Sequence, residues 1–131
     1  MRFSSRVVSS AAALALVIGP ASPVQAAPAE NVKMVLSSLS GKRIYLEHHF
    51  AYCRKKNRCV PSAQDGTDKV ARYTQARKVR RGHGAWISTV AIRPHRLRVY
   101  VDGRLVHNKK AKWHAQGDGG FYITDYTYFN R

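Results

Sequence analysis

Six histidines, His48, His49, His83, His95, His107 and His114, supply imidazoles that titrate near neutrality, and Glu47 sets a carboxyl group beside two of them. A phosphodiester hydrolase needs two such groups across the scissile bond, with Lys or Arg stabilising the charge that develops. If the chain cleaves RNA, His49, His83, His107, His114 and Glu47 are the candidates. His83 lies in Arg81-Gly82-His83-Gly84, where glycines let backbone approach a ligand, although an ordinary turn has the same composition. His48 falls on the apolar register of its segment, the place of a satisfied core residue. No Gly-x-Ser-x-Gly elbow offers serine chemistry. The aspartates stand singly in turns, without the pairing that a hard metal or a glycosidic bond requires. These residue types favour binding without catalysis, with no cofactor and no metal.

Cys53 and Cys59 are the only cysteines, and an even count in an exported chain most simply means one disulfide. The resulting short ring carries Arg54, Lys55, Lys56 and Arg58, so four cations are ordered together before they meet an anionic surface. A metal site built from the two sulfurs and His48 or His49 lacks the second ligand pair of a structural zinc motif, and the spacing is not that of a redox Cys-x-x-Cys. A basic, disulfide-flanked loop can also enter the acidic specificity pocket of a trypsin-like protease, which gives an inhibitor as a further alternative.

Basic residues gather in two more stretches. Arg72, Arg77, Lys78, Arg80 and Arg81 form one, and Arg93, Arg96, Arg98, Arg104, Lys109, Lys110 and Lys112 form the other, with Asp102 the sole acid in the latter. Tyr73, Tyr100 and Trp113 lie among them, so charge neutralisation can combine with planar stacking. The expected activity is binding of an anionic polymer or cell envelope: teichoic acid, acidic polysaccharide, lipid head groups or non-specific nucleic acid. The residues expected to carry it are Arg54, Lys55, Lys56, Arg58, Arg96, Arg98, Tyr100, His107, Lys109, Lys110, Lys112 and Trp113. A small secreted ribonuclease or toxin is the alternative. No helix-turn-helix, zinc-finger or RNP pattern supports sequence-specific DNA reading.

These side chains must be positioned by a short chain. Of 131 residues, 1–26 read as a secretory signal: Arg2 and Arg6 lead, Val7 to Gly19 are largely apolar, Pro20 and Pro23 interrupt, and small residues allow cleavage after Ala26. The expected product, 27–131, is one secreted domain carrying 21 Lys and Arg against 7 acids. That length excludes a multidomain enzyme and a full dinucleotide fold, while 44% hydrophobic residues exclude wholesale disorder.

Period-two alternation then indicates a mainly β fold, a small antiparallel sandwich or partly open barrel of about six short strands. Ile44, Leu46, His48, Phe50 and Tyr52 can share a core face, and Trp86, Val90 and Ile92 group on one side of the next run. Asp102-Gly103 predicts a type I′ hairpin in which Val101, Tyr100, Val99 and Arg98 oppose Arg104, Leu105, Val106 and His107. That register puts Leu97, Val99, Val101 and Val106 on an apolar face and Arg96, Arg98, Tyr100, His107 and Lys109 on a cationic one. A second turn signal, Gly117-Asp118-Gly119-Gly120, predicts a hairpin joining 111–116 to Phe121–Phe129, with Tyr122, Thr124, Tyr126 and Tyr128 on one side. Residues 60–69 have loop composition, and 31–39 are left open between a strand and a short N-terminal helix.

Overall fold

The structure is a computed structural model that describes residues 28–61 and 65–131; the expected export segment, residues 1–26, lies outside the described residues. The described residues form ten strands: β1 (Glu30–Ser38), β2 (Ile44–Lys55), β3 (Arg58–Val60), β4 (Gly66–Val70), β5 (Arg72–Val79), β6 (Gly84–Ala91), β7 (His95–Val101), β8 (Arg104–Lys110), β9 (Lys112–Gln116) and β10 (Gly119–Phe129). Among the described residues there is no helix. One sheet has the order β5-β1-β7-β8, the other β3-β2-β6-β10-β9 with β4 also on β2, and all pairings are antiparallel.

The two sheets close on one core. Val32, Met34, Leu36, Val79, Leu97, Val99 and Val101 come from the first, and Ile44, Leu46, Phe50, Ala85, Ile87 and Ala91 from the second. Fully buried side chains such as Phe50, Met34 and Leu36 each stabilise the fold by roughly 1.5–3 kcal/mol. Tyr126 and Tyr128 pack inward from β10 as the alternation requires. The Tyr128 hydroxyl donates to Glu30 at 2.6 Å, tying β10 to β1 across the sandwich. Burial first, then the carboxylate, pushes that hydroxyl up to about 12.

Three expectations are corrected and one left open is decided. Strands number ten rather than about six, because β2 is twelve residues long and its free edge is covered in two pieces, β4 on Ile44–His48 and β3 on Tyr52–Lys55. Between those pieces the Phe50 N–H donates to Asp65 at 2.8 Å, so a carboxylate fills the gap in the ladder. Residues 60–69, expected as loop, thereby contribute a paired strand, although 62–64 lie outside the described residues. Residues 30–38 are β1, not a short helix. β1 is central in its sheet, and its outward Val35 is only 3% exposed, so Val32, Val35 and Leu36 are all buried and imitate helical spacing. Trp86 and Val90 face outward on β6, while Ala85, Ile87, Thr89 and Ala91 take the core side and Ile92 lies exposed beyond the strand.

The last correction concerns the β7–β8 hairpin. Asp102 and Gly103 adopt φ of 49° and 82°, and Val101 and Tyr100 pair with Arg104 and Leu105 as the turn demands. A β-bulge then intervenes: Val99 pairs with His107, Arg98 with Asn108, Leu97 with Lys109 and Arg96 with Lys110. Val106 is the extra residue and packs against the core. His107 and Lys109 consequently turn to the side of Val99 and Leu97, between the sheets, and leave the outward face on which the regular register put them.

Candidate functional site

Alternation along four paired strands builds the outer face of the β5-β1-β7-β8 sheet. Arg72, Ser37, Arg96 and Lys110 form one cross-strand row; Thr74, Val35, Arg98 and Asn108 the next; Ala76, Lys33, Tyr100 and Leu105 a third. Lys78 follows beside Asn31. These positions hold six cations and no carboxylate. Asp102 caps the sheet end, where its carboxylate accepts the Asn31 N–H at 2.8 Å, and Glu30 is engaged by the Tyr128 hydroxyl. Neighbouring strands lie about 4.8 Å apart, so charges on adjacent strands sit within one Debye length of each other and reinforce a common field.

The face is held in place by its own contacts. Arg96 donates to Asn108 Oδ1 at 2.5 Å, and Lys33 Nζ stands 5.4 Å from the Tyr100 ring centre. Val35, which is buried, lies between Thr74 and Arg98 in its row, where the aliphatic stem of an arginine can cover an apolar neighbour. Sequence reasoning named Arg96, Arg98 and Tyr100 for this face. It missed Lys33, which sits in the segment left open between strand and helix, and it gave Arg72 and Lys78 no face because no turn signal fixed the register of β5.

His107, Lys109 and Lys112 come together at a different place, joined by Lys110 from the end of the outer row. β8 ends the first sheet, Ala111 crosses to β9 with its N–H donating to the His95 carbonyl at 2.8 Å, and β9 runs along β10 from Ile123 towards Gly119. The notch left at this crossing has a volume of about 410 Å³ and is lined by those four residues with Ile123, Thr124 and Asp125. The His107 ring stacks on Tyr126 at 4.4 Å. Burial, then the Lys109 charge, lower its pKa against the opposing pull of Asp125. Trp113 is exposed further along β9, its ring edge-on to Tyr122 at 5.0 Å.

The Cys53–Cys59 disulfide staples the β2–β3 hairpin, with Lys55 opposite Arg58 and Lys56 and Asn57 at the turn. Both sulfurs are bonded to each other, so neither is a thiolate ligand or nucleophile. Arg54, Lys55, Lys56 and Arg58 are all exposed at this tip of the second sheet, away from the four-stranded basic face.

The remaining imidazoles are dispersed. His48 is fully buried, bonds Asp68 at 2.9 Å through Nε2 and stacks on Tyr73 at 4.1 Å. His83 accepts or donates to the Tyr52 hydroxyl at 2.8 Å at the β5–β6 corner. His49 lies on the outer face of the second sheet, 2.9 Å from Glu47 and 3.5 Å from Asp65, with Ser88 and then Asp125 next in its row. The Glu47 hydrogen bond raises its pKa against partial burial, helped by the Asp65 and Glu47 charges. His114 is on β9, three strands from β2, a spacing of about 14 Å. His49 and His114 therefore cannot bracket one phosphodiester, and the carboxylates around His49 repel that substrate.

Fold and charge together define a disulfide-stapled antiparallel β-sandwich with one broad, acid-free basic face. Comparison with family models, with curated proteins and with solved structures finds no match to the chain.

Proposed function

We propose that this is a secreted, non-catalytic protein that binds an anionic polymer or envelope surface through the outer face of the β5-β1-β7-β8 sheet. The carrying observation is the set Arg72, Lys78, Lys33, Arg96, Arg98 and Lys110, brought to one side of a paired sheet with no carboxylate among them. Solubility does not require such segregation, whereas a polyanion gains counterion release from each contact it makes. A flat, strand-built face suits an extended polymer better than a small ligand. Tyr100 adds a ring at its centre for stacking. The stapled loop of Arg54, Lys55, Lys56 and Arg58 is a second contact on the same molecule. Export rests on the charged, apolar and small-residue order of residues 1–26, with which a disulfide is compatible.

The test is retention on an anionic matrix at increasing salt. Replacing Lys33, Arg96 and Arg98 by Ser should lower the eluting salt concentration and reduce the slope of log affinity against log salt by about 2–3, one increment of about 0.9 per lost phosphate contact on duplex DNA. Unchanged elution with an intact fold removes the face from the function. RNA turnover that disappears on substituting His49 or His107 would replace binding by nuclease chemistry, and stoichiometric trypsin inhibition would replace it by the inhibitor reading.

A further inference from the structure

The geometry of the notch between β8 and β10 points to a site for a phosphate monoester dianion, which shares Lys110 with the flat basic face and draws its other groups from elsewhere. It deepens the polyanion reading by naming a group that such a ligand would present, and it rests on that reading only for the ligand's source. Three observations meet there. Lys109, Lys110 and Lys112 line one recess of about 410 Å³ together with Thr124. His107 Nε2 is buried and, among the described residues, has no hydrogen-bond partner, although its ring is fixed by stacking on Tyr126. Asp125, the one carboxylate in the lining, leaves the recess with two net positive charges while His107 is neutral, which matches a dianion and exceeds what a diester monoanion neutralises.

The parts have distinct tasks. Ammonium groups neutralise the phosphate oxygens through charge-assisted hydrogen bonds. A neutral His107 that carries its proton on Nε2 donates to a further oxygen, removing an unsatisfied buried nitrogen. The bulge at Val106 is what makes the site, since a regular hairpin would send His107 and Lys109 to the opposite side of the sheet. The groups facing His107 are Lys109 on its own strand, Asp125 and Tyr126 on β10, and Lys110 and Lys112 at the crossover. A dianion placed among them favours the imidazolium, so binding should raise the titration midpoint of His107.

The experiment is a titration of the whole protein with inorganic phosphate at constant ionic strength, read by the NMR signals of its histidine rings, with dimethyl phosphate as the diester arm. The expected result is a saturable shift confined to His107, a raised midpoint for that ring alone, and a response to dimethyl phosphate at least about tenfold weaker. Lys109→Gln with Lys112→Gln should weaken phosphate about tenfold or more, the loss expected from removing charge-assisted hydrogen bonds. The face substitutions Lys33→Ser, Arg96→Ser and Arg98→Ser should leave the titration unchanged. No saturable shift, an equal response of several histidines, equal binding of the diester, or insensitivity to the two lysine changes would each overturn the site. Those outcomes leave matrix retention by the flat face untouched, so the two readings fail separately.

Discussion

His95 is wholly buried in β7, with Nδ1 3.1 Å from the Arg93 carbonyl and Nε2 2.8 Å from the Thr89 hydroxyl. A carbonyl only accepts, so the proton sits on Nδ1 and Thr89 donates to Nε2. Burial lowers the pKa from 6.5, opposed by the Arg93 carbonyl. The unfolded chain therefore takes up a proton near 6.5 that the folded chain refuses, and stability present above that pH is lost as pH falls below it. His107 has the same sign, while His49, raised by Glu47, contributes stability that is lost as pH rises. His49 is partly exposed and its ion pairs are screened, so the wholly buried His95 should dominate. We predict that the urea midpoint falls between pH 7.5 and 5. His95→Gln should be less stable at neutral pH but show a flatter profile; an equally steep one would place the acid sensitivity elsewhere. Neither buried role was legible in the sequence, because the partners, Thr89 and Tyr126, stand on strands of unrelated register.

Elements were legible where a turn signal or strict alternation controls them. Asp102-Gly103 set the first two pairs of the β7–β8 hairpin, Gly117-Asp118 set β9–β10, and Ile44 to Phe50 faces the core as its alternation requires. The bulge after Tyr100 was not legible: Leu105 to Lys109 contains neither Gly nor Pro to mark it, and Val106 reaches the core with or without it. The β2–β3 hairpin illustrates the opposite case, since the cysteine count alone required its closure. For a ring of seven residues the chain-entropy model assigns the disulfide about 2 kcal/mol. Replacing both Cys53 and Cys59 by Ser should lower unfolding stability by about that amount while leaving retention by the four-stranded face unchanged. A larger loss, or a loss of retention, would show that the staple orders more than its own hairpin.

At the level of the whole molecule, the net formal charge of +16 is not evenly spread. The outer face of one sheet carries only cations, whereas Glu47, Asp65 and Asp125 gather around His49 and Ser88 on the other. Repulsion within the basic face opposes folding and is relieved by counter-ions. Raising sodium chloride from low to physiological concentration should therefore raise Tm, and on the proposed function a polyphosphate should do so at far lower concentration by binding the folded state. A Tm that falls with salt would mean that the carboxylates, not the repulsions, govern the electrostatics. Composition and alternation by themselves determined a cationic, mainly β domain with one covalent staple, because those properties depend only on residue type and on a period of two. Which cations share a surface was decided by tertiary structure, since a single extra residue in β8 reverses the facing of every side chain beyond it, and the segregation of acid from base depends on which strands neighbour one another across the sandwich.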